Sequence, residues 1–196
     1  MKSLKGTQTA KNLAASFAGE SQARNRYTFY ASVAKKEGYN QIAKVFTETA
    51  DNERAHAKVF YDLLIQGLGH AEIFVEAEYP IGLDSTIENL QYAAAGEKEE
   101  WHNAYPKFLA MAKEEGFPEV EFAFRHIIEV EKLHEKHYLS LYNNLKNETL
   151  YKREKEESWR CLNCGYIHIG TSSPTVCPAC KHPQGYFEIS SNPRIV

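Results

Sequence analysis

The chain has 196 residues, 43% of them apolar and 25% charged, with 23 Lys and Arg against 26 Asp and Glu for a formal net charge of -3. This is the composition of an ordinary globular protein, and its charge gives no bias toward nucleic acid or anionic membranes. No run approaches the roughly 20 apolar residues of a membrane span, and Met1-Lys2-Ser3-Leu4-Lys5-Gly6 leads into no apolar signal segment, so a cytoplasmic protein is expected.

A first helix is predicted from near Thr7 or Thr9 to about Lys36, with Leu13, Phe17, Glu20, Ala23, Tyr27 and Ala34 on its inner face. Glu37-Gly38-Tyr39-Asn40 breaks it, and a second helix runs to about Ile65. Its apolar seam, Ile42, Phe46, Thr49, Glu53, His56, Phe60, Leu63, steps by three and four and has a carboxylate and an imidazole at its centre. Residues 66–84 hold three glycines and Pro80, enough chain to cross from one end of a bundle to the other. Asp84 and Ser85 are N-cap candidates for a third helix reaching about Glu115. Gly116-Phe117-Pro118 then turns into a fourth helix that ends near Leu145. Its seam is Val120, Phe124, Ile127, Glu131, His134, Tyr138, Leu141.

The four helices form an internal repeat. Glu131 and His134 stand 78 positions after Glu53 and His56, and Ala112-Lys113-Glu114-Glu115-Gly116-Phe117 stands 78 after Ala34-Lys35-Lys36-Glu37-Gly38-Tyr39. Ala95-Gly96-Glu97, however, matches Ala18-Gly19-Glu20 at 77. The third helix therefore carries one extra residue between Glu97 and Asn103. A helix absorbs such an insertion as a π-bulge, so an i→i+5 bond is expected within residues 97–104, the window that holds Glu100.

Seam and repeat together put Glu20, Glu53, Glu97, Glu100 and Glu131 in one interior with His56 and His134. Burying even one unpaired carboxylate costs several kcal/mol, and a whole domain is stable by only about 5–15 kcal/mol. Two divalent metals would supply the missing positive charge. Oxygen-rich ligation with one imidazole per metal suits iron or manganese better than zinc. One Glu from each of two helices plus Glu-x-x-His from each of the other two is a known four-helix dimetal pattern. Glu99/His102 is a third Glu-x-x-His, but the repeat maps His102 onto Arg24, so it is read as a decoy. His70, His126 and His137 have no repeat partner in a ligand role and are read as surface residues or as residues that support the ligands from outside. Tyr27 and Tyr105 lie near the inner face, either as core filler or as hydroxyl donors or radical traps beside the metals.

Residues 147–157 are charged without an apolar stripe and read as a linker between a bundle at 1–146 and a small β domain at 158–196. That second domain holds all four cysteines. Cys161-x-x-Cys164 and Cys177-x-x-Cys180 make a four-thiolate site for zinc or a single iron, and spacing alone leaves both open. Gly165 can turn the backbone so that amides face the sulfurs, with Trp159, Tyr166 and Phe187 packed around the metal.

The stretch Ala18-Gly19-Glu20-Ser21-Gln22-Ala23-Arg24-Asn25-Arg26-Tyr27, Glu53-x-x-His56, Ala95-Gly96-Glu97-x-x-Glu100, Glu131-x-x-His134, Cys-x-x-Cys-Gly-Tyr and Cys-Pro-x-Cys together resemble the rubrerythrin family over essentially the whole chain. The resemblance implies a ferritin-like di-iron bundle followed by a rubredoxin-like iron domain. It further implies a cytoplasmic peroxidase reducing hydrogen peroxide to water, with electrons from NAD(P)H through a reductase and a rubredoxin. In such a protein Glu53 and Glu131 would bridge the irons, Glu20 would bind one, and Glu97 with His134 the other. Glu100 and His56 would exchange on the first iron with redox state, and Cys161, Cys164, Cys177 and Cys180 would hold the third iron as an electron relay. A head-to-tail homodimer is implied. The rival readings are a ferroxidase or iron-storage protein, and an electron-transfer module with a structural zinc ribbon.

Overall fold

The computed structural model describes residues 1–190. Residues 191–196 of the expected second domain lie outside the described residues. The chain folds as α1 (Gln8–Lys36), α2 (Asn40–Leu68), α3 (Thr86–Glu99), a π segment (Glu100–Ala104), α4 (Tyr105–Glu114) and α5 (Pro118–Lys146), followed by β1 (Lys152–Cys161), β2 (Ile167–Ser172) and β3 (Phe187–Ile189). The mainly helical class with a small antiparallel C-terminal sheet is the one expected. α1 pairs with α2 and α3 with α5, and an irregular crossover joins the two halves.

Local chemistry sets the ends of these helices. The Thr7 hydroxyl accepts the Ala10 amide at 3.1 Å to cap α1, and the Glu88 carboxylate accepts the Ser85 amide to cap α3. The two halves of the repeat end their first helices alike. Gly38 and Gly116 adopt φ of 87° and 71°, which costs glycine no Cβ clash. The following amides, Tyr39 and Phe117, each return 2.8 Å to a helix carbonyl, Ala34 and Ala112.

The insertion sits where the broken repeat puts it. The Tyr105 amide bonds the Glu100 carbonyl, an i→i+5 bond that closes the π segment. Trp101 inside that segment donates to Glu135 Oε2 at 2.7 Å and ties it to α5. Both predicted seams are buried except at His56, which is partly exposed.

In the C-terminal module the sheet order is β2-β1-β3, all antiparallel. Trp159 and Phe187 are fully buried against Cys161 and Cys177. The boundary differs from the linker reading, since β1 begins at Lys152 and takes up residues 152–157. Those residues have no apolar alternation because neither face of the strand is covered there. Lys152 pairs with Ser172 and regular pairing resumes only at Glu157. The module rests on the α1–α2 turn, where Lys44 Nζ lies 3.1 Å from Glu188 Oε2 and the backbone of Gly185 meets that of Gly38.

Candidate metal centres

Each half of the bundle supplies the same side chains to its midpoint. Glu20 from α1, Glu53 from α2, Glu97 from α3 and Glu131 from α5 are all completely buried, and His134 nearly so. They fall into two overlapping quartets, Glu20, Glu53, His56, Glu131 and Glu53, Glu97, Glu131, His134. Within each quartet one ligand atom per residue lies within 4.8 Å of the others. Glu53 and Glu131 belong to both.

The imidazoles enter through Nδ1. His56 Nδ1 lies 2.8 Å from Glu131 Oε1, 3.5 Å from Glu53 Oε2 and 3.7 Å from Glu20 Oε2. His134 Nδ1 lies 2.7 Å from Glu131 Oε2, 3.1 Å from Glu53 Oε1 and 3.5 Å from Glu97 Oε2. Yet Nδ1 of both histidines, both oxygens of Glu53 and Glu131, and Oε2 of Glu20 and Glu97 make no hydrogen bond of good geometry. Buried polar atoms are almost always hydrogen-bonded. Eight that converge without bonding one another suit a pair of cations among them, in an oxygen-rich set that favours iron or manganese.

The remaining oxygens of the two unshared carboxylates are taken. Tyr27 OH donates to Glu97 Oε1 at 2.5 Å, and Tyr105 OH donates to Glu20 Oε1 at 2.6 Å. Each tyrosine reaches from one half of the repeat to the carboxylate of the other. Both are fully buried hydroxyl donors as well as core residues. Burial pushes their hydroxyls well above the ordinary tyrosine range, with Glu97 and Glu100 respectively adding to it, so they stay protonated.

Without metal, protons balance the charge. Burial first, then the facing Glu53, raises Glu20 and Glu97 well above the usual carboxylate range. Burial opposes protonation of the histidines, but the facing carboxylates, Glu131 foremost, outweigh it. They raise His56 strongly and His134 to about 12. Burial likewise opposes ionisation of Glu53, but contacts from Glu20, His134 and His56 hold it below the usual range.

Glu100 stands apart. It is half-buried in the π segment and belongs to neither quartet, so the structure does not bring all five carboxylates to one point. Burial, then Glu97, Glu131 and Glu53, raises its carboxyl well above normal, with Arg26 opposing. It lines a cavity of about 820 Å³ between α1, the crossover, α3 and α4, whose wall includes Gly19, Arg26, Tyr79 and Tyr105. Tyr79 is tied across this cavity by its hydroxyl to the Ala15 carbonyl at 2.9 Å.

Glu99 is exposed and accepts from Asn103, and His102, His70, His126 and His137 are exposed too, away from both quartets. Two residues escaped the sequence reading. Trp101 braces the π segment, and the Asn52 amide lies 3.3 Å from the outer ring nitrogen of His134. Asn52 is exposed and polar, so no periodicity marks it.

The four cysteines converge and none is in a disulfide. Sγ of Cys161 and Cys180, and of Cys164 and Cys177, are 3.7 Å apart. A tetrahedron with metal–sulfur bonds of about 2.3 Å has edges of about 3.8 Å, so the set fits one metal ion. Gly165 and Lys181, each just after the second cysteine of its pair, have φ of 78° and 63°. The Tyr166 amide faces Cys164, and the His182 amide, aimed at Cys180, draws that thiol down to about 6.

Comparison with known proteins agrees with both centres. A family model described as Rubrerythrin matches residues 11–142, and one described as the rubrerythrin rubredoxin-like domain matches 159–188. Rubrerythrin-1 of Clostridium acetobutylicum is 54% identical over 192 residues, 97% of this chain and 98% of that one. Rubrerythrin of Porphyromonas gingivalis is 52% identical over 188 residues, 95% of this chain and 92% of that one. Among solved structures, fully reduced, all-ferrous nigerythrin superposes with a TM-score of 0.65 at 30% identity, covering 96% of this chain and 92% of that one.

Proposed function

We propose that this chain, which belongs to the rubrerythrin family, is a cytoplasmic peroxidase that reduces hydrogen peroxide to water. Its cofactors are a di-iron site in the bundle and a rubredoxin-like iron on the four cysteines. The observation that carries the reading is the pair of quartets sharing Glu53 and Glu131, on one chain with a tetrathiolate site. Glu53 and Glu131, common to both quartets, would hold both irons, Glu20 and His56 would hold one, and Glu97 and His134 the other.

The overall change is H2O2 + 2 e⁻ + 2 H⁺ → 2 H2O. When bound, the reduced iron pair supplies the two electrons that O–O cleavage consumes. The protein supplies position and protons. Tyr105 and Tyr27 hold the unshared carboxylates by one oxygen each and leave the other free to ligate. Peroxide enters through the cavity beneath the crossover and meets Glu100 at its inner wall. With its carboxyl raised by burial and three neighbouring carboxylates, Glu100 arrives protonated and delivers a proton to the departing oxygen. Glu100 and His56 are the pair that would exchange as ligands with redox state. The π segment places Glu100 next to the cluster yet outside it, while His56 points in.

Cys161, Cys164, Cys177 and Cys180 would hold an iron that supplies one-electron transfer, with NAD(P)H as the source by way of a reductase or a rubredoxin and the protein a head-to-tail homodimer. No described helix is long and apolar enough to cross a membrane. Anaerobic stopped-flow mixing of the reduced protein tests the reading. The di-iron site is expected to oxidise faster with peroxide than with dioxygen, and the reverse order would refute a peroxidase.

A further inference from the structure

The two Glu-x-x-His segments are matched in sequence, but their surroundings are not. His134 turns Nδ1 inward and presents Nε2 to the side-chain amide of Asn52 on α2, whose Nδ2 lies 3.3 Å away and whose Oδ1 takes that place by a half-turn of the amide. No described hydrogen bond reaches Nε2 of His56. The repeat says why. Asn52 immediately precedes Glu53, and the residue immediately preceding Glu131 is Val130, whose side chain accepts nothing. A rotation that carries one half of the bundle onto the other therefore sets Asn52 against His134 and Val130 against His56.

We propose that Asn52 is a positioning residue that makes the two histidines unequal, accepting the Nε2 proton of His134 and so fixing it, while His56 is left free. The inference rests on the dimetal reading of the cluster and goes beyond it. An imidazole that ligates through Nδ1 must carry its proton on Nε2, and that N–H needs an acceptor. An amide can present either end, and this N–H selects Oδ1. The same orientation serves the metal-free cluster, where His134 is an imidazolium and Nε2 still donates. Asn52 is exposed whereas His134 is 4% exposed, so the amide covers the outer edge of a ring that no other side chain among the described residues hydrogen-bonds there. Both half-sites would otherwise be equally able to lose their histidine. With Asn52 on one side only, the mobile ligand is His56.

Three full-length variants test this, at positions that are exposed or half-buried and lie outside both quartets. Asn52→Val removes the acceptor, Asn52→Asp keeps an oxygen but has no N–H, and Val130→Asn offers His56 the acceptor it lacks. Zinc is the probe, competed against a chelator after the first equivalent has filled the cysteines. Asn52→Val is expected to weaken the bundle equivalents about tenfold, the low end for loss of an outer partner because water can enter. Asn52→Asp restores wild-type affinity. Imidazole nitrogen NMR gives a second readout. The His134 Nε2 proton exchanges slowly in wild type and Asn52→Asp but fast in Asn52→Val, and Val130→Asn slows the His56 proton. Wild-type zinc affinity and slow His134 exchange in Asn52→Val would overturn the inference, as would failure of Asn52→Asp to rescue. A wild-type chain that binds zinc at the cysteines alone would overturn the dimetal reading instead, an outcome visible before any variant is compared.

Discussion

Glu53→Gln is the most direct probe of the bundle centre, because Glu53 belongs to both quartets and is completely buried. The replacement keeps the shape, removes one charge and one ligand oxygen, and leaves the other as a weaker amide oxygen. Metal that binds only the folded chain stabilises it, by about 4 kcal/mol when free metal is a thousandfold above its dissociation constant. For a bundle of about 150 residues each kcal/mol moves the melting temperature by roughly 2–4 °C, so saturating ferrous iron should raise Tm by roughly 8–16 °C. In Glu53→Gln that rise should fall to within a few degrees of zero (under about 1 kcal/mol). Anaerobic calorimetry with and without ferrous iron measures the shift. The visible spectrum of the cysteine-bound iron, read in the same samples, should not change. A variant that kept the full metal-induced shift would refute the shared role of Glu53. A variant that lost the tetrathiolate spectrum would show general misfolding instead.

Metal uptake should release protons and tighten as pH rises. His56 and His134 both have raised values, as do the Glu20 and Glu97 carboxyls, so filling the pair should expel more than about two protons, from the imidazoles and from those carboxyls. Titration calorimetry in buffers of different ionisation enthalpy counts them, and affinity that falls with pH would contradict this. The same shifts set the stability of the metal-free protein. Contact-stabilised imidazolium contributes fully below the unfolded value near 6.5 and is lost as pH rises toward the folded value, so apoprotein stability should decline on the alkaline side. Tyr27→Phe and Tyr105→Phe each delete a buried hydroxyl donor to an unshared carboxylate and should cost about 1–3 kcal/mol apiece in urea unfolding, with similar values because the two contacts are related by the repeat. Trp159→Ala removes the fully buried centre of the C-terminal module and should cost that module about 3–5 kcal/mol, bleaching the tetrathiolate absorbance while helical circular dichroism stays intact.

What the residue order made legible depended on constraints that repeat. Glu53 and Glu131 were visible because a carboxylate in the middle of an apolar seam has no cheap explanation, and the second copy removed the chance of accident. The π segment was visible for a similar reason, since an offset of 77 on one side of it and 78 on the other leaves one residue to absorb. Glu100 was placed less well. Helical phase fixes which face a residue shares, not how far its carboxyl stands from a partner across the bundle, and here it faces the cavity. The start of β1 was illegible because Lys152–Glu157 is solvated on both faces, so no alternation is written into it. Asn52 acts through a contact with another helix from an exposed site, and neither leaves a periodic trace.

The departures from symmetry carry more functional information than the symmetry itself. Two equal half-sites would bind a metal pair and hold it, with no reason for one ligand rather than another to move. The chain departs from equality at the metal pair in at least two ways. The extra residue in the third helix brings Glu100, a carboxyl that has no counterpart on α1, beside the cluster. The exchange of Asn52 for Val130 leaves His56 without an outer hydrogen-bond partner among the described residues. These are independent features on different helices, and in the proposed peroxidase both would bear on the half-site of Glu20 and His56. An added carboxyl without a loosened histidine would only crowd the site, and a loosened histidine without a replacement would only weaken it. In the proposed peroxidase they would together let that half-site trade one ligand for another, while Tyr27 and Asn52 contact Glu97 and His134 on the other side.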